Sequence, residues 1–420
     1  MHERRRMNRR RWLRGHALVG LASVAPAARA KDSPPAAASA ADAVPALPVG
    51  ALPGEIGERA LEIALTRRVG ARALSGWSQT PLESLTGLLT PSDLHFERHH
   101  GGIPALSATD HELLVHGLVR QPKRFDLAAL KRFPAVTRVY FIECSGNGYA
   151  STLPVEEIPA GLRPSDVDGL FSVSEWTGLS VRDLLEAVGL ARKARWALAE
   201  GADSAAMTRS IPVAKLLDDA LLVYGQNGEP LRPAQGYPLR LLLPGYEGNM
   251  SIKWLKRLEF SDAPFMTREE TARYSDPRAD GRVELFSFSM GPKSLITEPA
   301  GPGAIGAPGY REIRGLAWSG RGSVRKVEVS VDGGRRWRDA RLDGPASPQG
   351  ARRFALGWSW DGAPALLMSR ATDSSGASQP GYSEARQGRG QDATYHNNAV
   401  RGWRLDRDGG LQFAMADPIR

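Results

Sequence analysis

Cysteine occurs once in 420 residues, at position 144. That count rules out an intrachain disulfide, a covalent c-type haem, which needs a Cys pair before a His, and an iron–sulfur cluster held by this chain alone. There is no H-E-x-x-H and no Cys pair, so nothing marks an ordinary zinc site. Long apolar runs are also missing. No segment beyond the first 30 residues is apolar for long enough to span a bilayer, so no membrane anchor is expected.

The basic charge is unevenly spread. Residues 1–30 hold eight arginines against Glu3, a net of +7, while the whole chain carries +9. The remainder is near +2, and no nucleic-acid partner follows from the high pI. "NRRRWLRG" (Asn8 to Gly15) resembles a twin-arginine export signal, with Asn8 and Trp12 in place of the usual Ser/Thr and Phe. A short, mildly apolar stretch follows and ends in the small-x-small site Ala28-Arg29-Ala30. Export in a folded state to the periplasm is the expectation, with residues 1–30 removed. A lone thiol in an exported protein is intermolecular, reactive or a ligand.

The remaining chain is long enough for two or three domains. Residues 31–79 read as a linker or extension, Ala/Pro-rich at first. A mixed pattern of strands and helices runs over 80–295. In "SVRDLLEAVGL", Ser180 and Asp183 are placed to cap a helix, Leu184, Leu185 and Val188 form its apolar face, and Gly189 suits its end. "IPVAKLLDDALLVYG" predicts a second helix, and "YPLRLLLPG" and "SIKWLKRLEF" predict short strands around a turn. Residues 296–420 predict an all-β, immunoglobulin-like sandwich. Val327, Val329 and Val331 alternate with polar residues and enter the turn "DGG" at Asp332–Gly334. Between them, "ITEPAGPGAIGAPGY" has a formal G-x-G-x-x-G. Pro299, Pro302 and Pro308 interrupt it, so it is read as a break rather than a nucleotide loop. The expected class is α+β.

Cys144 sits in "VYFIECSGNGYAS", where a hydrophobic run meets a Gly-rich turn. Taken alone, it is open to three readings: a buried small hydrophobe, a nucleophile needing a partner His, or a metal thiolate completed by something other than protein sulfur.

The segment "YFIECSGNG" resembles the cofactor-cysteine segment of the sulfite oxidase family of molybdenum enzymes. "LTPSDLHFERHHGGIP", "EWTGLSVRDLLEAVGL", "AEGADSAAMTRSIP" and "QNGEPLRPAQGYPLRLLLPGYEGNMSIKWLKRLEF" are similar to further family segments, in order. Within the family, "REETARYSD", "GLAWSGRGSVRKVEVSVDGGRRW" and "ATYHNNAVRGWRL" resemble the sulfane dehydrogenase subgroup of the bacterial thiosulfate-oxidising system.

The resemblance implies a molybdenum–molybdopterin cofactor, with Cys144 as the protein's metal ligand. It implies Arg98 as the substrate-binding arginine and Tyr274 as the active-site tyrosine. Phe96, Glu97, His99, His100, Asp203, Gln235, Arg240, Ser251, Ile252 and Lys253 match cofactor-pocket positions. Glu97 and His99 depart from the Val and Asn of the animal and plant enzymes, and Gln235 from their cofactor-contacting His. Residues Tyr149 to Val173 follow no family pattern and sit where they would shape substrate access.

The implied activity is oxidation of sulfane sulfur on a carrier protein's cysteine by oxo transfer. Electrons would pass to a separate c-type cytochrome, since no haem is expected on this chain, and the β domain would form a homodimer. The alternatives are a free-sulfite dehydrogenase, a periplasmic sulfoxide reductase of the same superfamily and, from another class, a non-catalytic scaffold or binding subunit.

Overall fold

The apolar stripe expected after Ser180 forms the helix Val181–Val188. The Ser180 side chain accepts from Arg182 N, and Gly189 closes the helix at φ 68°, a left-handed conformation that Gly adopts without strain. Val181, Leu184, Leu185 and Val188 are buried against Leu113, Val115, Ile211 and Phe260. Each such burial contributes about 1.5–3 kcal/mol. The structure is a computed structural model that describes residues 57, 59–60, 65–303, 305–390, 393–415 and 417–419. The expected export signal, residues 1–30, lies outside the described residues.

Two five-stranded sheets build the first half. In one, Glu229–Pro230, Leu221–Gln226, Phe171–Ser180 and Ala135–Glu143 lie side by side, and Arg240–Leu242 also pairs with Leu221–Gln226. In the other, Lys123–Asp126, Glu112–Gly117, Leu255–Ser261, Trp196–Gly201 and Thr208–Pro212 follow in that order, with Leu255–Ser261 parallel to Glu112–Gly117. The second half is a sandwich. Lys293–Glu298, Gly309–Trp318, Ala351–Trp360 and Arg341–Asp343 make one sheet. Arg338–Asp339, Val324–Ser330, Ala365–Asp373, Gly402–Leu405 and Leu411–Ala414 make the other. Ile313, Phe354 and Trp360 from the first pack with Val327, Leu367 and Trp403 from the second in one core. The fold is α+β, with a mixed half followed by a β-rich one.

Two expectations need correction. The helix read into "IPVAKLLDDALLVYG" stops at Asp218, and Leu221–Gln226 is a strand. Leu222 on one face packs into one core cluster and Leu221 and Val223 on the other into a second, so all three are buried and show a continuous apolar run rather than alternation. Residues 68–79, placed in the extension, form the strands Arg68–Ala71 and Trp77–Gln79, which pair with each other and, through Trp77–Gln79, with Glu97–Arg98. They are short, broken by a bulge and largely exposed, so they carry no clean periodicity. Among the described residues no helix is long and apolar enough to cross a membrane.

Candidate active site

Cys144 follows directly on the strand Ala135–Glu143, where the chain leaves the sheet. Its N–H donates to Leu170 O at 3.0 Å, and its own carbonyl accepts from Asn147 N at 2.9 Å, closing a tight turn. The thiol is half-buried. Burial pushes its pKa up, and the Gly146 N–H and the Arg98 charge only partly offset that. The surroundings alone favour the thiol. A bound high-valent metal is the group that would make it a thiolate.

Cys144 lies where two cavities meet. The inner cleft is lined by Phe96, Arg98, His99, His100, Cys144, Asp203, Gln235, Arg240, Ser251, Ile252, Lys253 and Tyr274. The fold thus gathers these residues from six separate stretches of chain. Glu97 is the exception. Its carboxylate faces away, toward Arg67 and the Nε2 of His99. Burial opposes its ionisation, but the His99 hydrogen bond and the Arg67 charge outweigh this and hold its pKa at about 2. Glu97 therefore supports the cleft through His99.

His99 is fixed at both nitrogens. Nδ1 accepts from Lys253 Nζ at 2.8 Å, which leaves Nε2 to donate to Glu97 Oε2 at 3.1 Å. This assigns the neutral tautomer, and burial lowers the ring pKa in agreement. Lys253 also donates to Arg98 O and Ala234 O. Gln235 donates through Nε2 to Phe96 O at 2.9 Å and accepts Arg240 Nη1 at 3.2 Å through Oε1. Ser251 Oγ accepts from Leu243 N, which ties it to the neighbouring strand end. Asp203 Oδ1 accepts from Met207 N and orders its own turn.

The electrostatics of this cleft fit an anionic cofactor. Arg240 is buried, its Nε has no hydrogen-bond partner, and burial lowers its pKa to about 9. Burial, then the Arg240 charge, lowers Lys253 well below the usual lysine range. No ion pair joins either residue to a carboxylate among the described residues. Arg240, a buried cation with no carboxylate bonded to it, is costly unless an anion arrives. The terminal phosphate of a pterin would supply one, with the unpaired Arg240 Nε–H as a donor for it.

On the other side of Cys144 lies an outer cavity of about 980 Å³. Arg98, His100 and Tyr274 line both spaces. The Tyr274 hydroxyl and His100 Nε2 share a hydrogen bond of 2.8 Å. Burial, then the Arg98 charge, pushes His100 down to about 4, so the ring is neutral, and burial also raises the Tyr274 hydroxyl. Beside the Tyr274 ring, the Arg209 guanidinium sits 4.8 Å from the centroid and is held by Glu270 at 2.7 Å. The segment that matched no pattern supplies one wall, through Tyr149, Leu153, Pro159 and Leu162.

Sequence reasoning missed Tyr395, Arg268 and Arg273 in the outer cavity, and Trp254 and Asn249 in the inner one. The Tyr395 ring lies 5.4 Å from that of Tyr274. Its segment, "ATYHNNAVRGWRL", carries only a subgroup resemblance, and no periodicity shows that it returns to the site from the far end of the chain.

The oxidoreductase molybdopterin-binding domain matches residues 100–269, and the Mo-co oxidoreductase dimerisation domain matches residues 287–402. The chain belongs to the sulfite oxidase family of molybdopterin oxidoreductases. It is 38% identical to the sulfane dehydrogenase SoxCD from Paracoccus pantotrophus, whose crystal structure superposes with a TM-score of 0.79, covering 90% of this chain and 95% of that one. It is 33% identical to the sulfite oxidase of Gallus gallus, over 67% of this chain and 64% of that protein. It is 30% identical to the NADH nitrate reductase of Ulva prolifera, over 65% of this chain and 34% of that protein. The chain thus spans less than two thirds of the length of these curated relatives.

Proposed function

We propose that the protein is the molybdenum subunit of a sulfane dehydrogenase. It oxidises sulfane sulfur held on a carrier protein's cysteine and delivers electrons to a separate c-type cytochrome. It works as a homodimer in the periplasm after twin-arginine export. The observation that carries the substrate reading is the apolar wall of Leu153, Pro159 and Leu162 along the outer cavity beside Cys144, Arg98 and Tyr274. A small sulfur oxyanion has no use for such a wall, whereas a sulfur carried on the end of a peptide has apolar surface to place against it.

When bound, the molybdopterin supplies two-electron oxygen transfer at the metal. The chain's own groups then do three things. Arg240 and Lys253 would hold the cofactor's anionic end. Arg98 presents a guanidinium fork to the oxyanion that develops on sulfur. Tyr274, whose hydroxyl shares a hydrogen bond with neutral His100, places its phenolic oxygen beside Cys144 and Arg98.

A free-sulfite dehydrogenase is the second reading. It is favoured by the cations Arg98, Arg268 and Arg273 lining the same cavity and by the likeness to sulfite oxidase. The test uses mature, molybdenum-loaded protein without cytochrome. The Mo(V) paramagnetic signal is followed after adding sulfite or a carrier peptide bearing a cysteine persulfide. Reduction by the persulfide alone supports the proposal. Reduction by sulfite alone, with dithionite as the positive control, transfers the assignment to sulfite. A preparation from molybdate-supplied cells that is active without molybdenum would favour a scaffold subunit.

A further inference from the structure

Glu143 directly precedes Cys144, yet its side chain is fully buried and takes no part in either cavity. Its Oε1 accepts Asn147 Nδ2 at 3.0 Å and Lys293 Nζ at 2.8 Å, and its Oε2 accepts Trp318 Nε1 at 2.6 Å. Lys293 also meets Asp168 at 2.8 Å, and Asp168 pairs through both oxygens with Arg401 Nη1 at 2.9 and 2.8 Å. The result is an alternating row, Glu143, Lys293, Asp168, Arg401, with every side chain at most 1% exposed. Glu143 and Asp168 belong to the molybdopterin-binding half. Lys293, Trp318 and Arg401 belong to the region matched by the dimerisation domain.

Four buried charges are an expensive way to join two halves, since apolar contacts would hold them at least as well. Here the row ends on the loop that carries the thiol. Asn147, bonded to Glu143, also accepts Leu170 N through Oδ1. The Asn147 carbonyl accepts Asn397 Nδ2 at 3.3 Å, and the Asn397 carbonyl accepts Arg401 Nη2 at 2.6 Å. The Ser145 carbonyl accepts His396 N at 3.0 Å. At Gly148, where φ is +81°, a Cβ would come within 2.8 Å of Arg401 Nη1. The loop from Cys144 to Gly148 is thus gripped from behind by the second half of the chain.

We infer that Trp318, Lys293, Asn397 and Arg401 are positioning residues for catalysis: the β-rich half fixes the direction of the Cys144 sulfur by clamping Glu143 and Asn147. The inference rests on Cys144 as the metal ligand and is independent of which sulfur compound is oxidised. Partners that orient a metal ligand typically change activity about 10- to 100-fold when removed.

The experiment compares molybdenum-loaded wild type, Trp318→Phe and Asn397→Ala. Trp318→Phe keeps an aromatic ring to stack on Phe171, which lies 4.0 Å away, and removes only the indole donor and some volume. All values are normalised to bound molybdenum. The readouts are the Mo(V) signal after dithionite titration, which needs no substrate, and kcat and KM with whichever sulfur donor reduces the wild type. The expected result is a displaced Mo(V) signal with kcat lowered about tenfold and KM unchanged, in either variant. Variants that match the wild-type signal and kcat per molybdenum overturn the inference, even if they melt earlier, because that is a purely structural role.

Discussion

At the scale of single residues, the site is organised by charges that would be unfavourable in an empty protein. Arg240 is the clearest case, buried with an unpaired Nε and a pKa pulled down to about 9. Arg240→Gln keeps hydrogen-bonding capacity but removes the charge. Losing one partner of a buried charge pair costs about 2–5 kcal/mol in binding. The expectation is a protein that folds and melts at or above the wild-type apo temperature but retains little pterin and molybdenum after dialysis. Metal analysis of the dialysed protein checks this.

His95 offers a second residue-level prediction. It is buried beside Trp176 and Phe96, and burial, then the Arg240 charge, lowers its pKa from 6.5 to about 3. The unfolded chain therefore takes up a proton near pH 6.5 that the folded chain refuses until about pH 3. The stabilising contribution of a neutral His95 is complete above pH 6.5, declines as pH falls below it, and is gone once pH drops through about 3. Apo His95→Phe should lose less stability than the wild type between pH 6.5 and 4. Urea titrations at several pH values measure the difference.

At the scale of elements, the helix Val181–Val188 holds the first half together from a sequence that advertises it. Its cap, apolar face and terminal Gly were all legible because they are local. Leu184 is fully buried, so Leu184→Ala should destabilise the chain by about 2–5 kcal/mol, read as a lower urea midpoint. The strand Leu221–Gln226 was misread as helix for the opposite reason. Burial on both faces erases the alternation that marks a half-exposed strand, and whether both faces are covered is decided by residues far away in the chain. The wall built from Tyr149 to Leu162 is unreadable for a different reason: Tyr149, Leu153 and Pro159 line a cavity in short 3-10 turns and loops, which leave no helix or strand period.

At the scale of the whole molecule, the +7 segment at the start and the near-neutral remainder point to different tasks. If the arginine pair is read by the export machinery, charge alone will not suffice. Arg9→Lys together with Arg10→Lys keeps the charge and removes the planar guanidinium forks. The expected outcome is precursor retained in the cytoplasm, seen by fractionation and immunoblot. Wild-type periplasmic levels would refute the export reading.

Taken by itself, the sequence determined the class of chemistry. A single cysteine at the end of an apolar run excluded an iron–sulfur cluster, a covalent c-type haem and an intrachain disulfide, and the ordered motifs around it carried the family. Those signals survive in one dimension because each depends on neighbours within a few positions. Only the tertiary structure decided that Glu97 turns away from the cleft, that Tyr395 returns to it, and that Lys293, Trp318 and Arg401 grip the loop of Cys144. Such contacts join residues separated by 150 positions or more in the case of Glu143 with Lys293 and Trp318. No local propensity encodes them, and the desolvation that gives each charge its strength exists only once the two halves have closed around it.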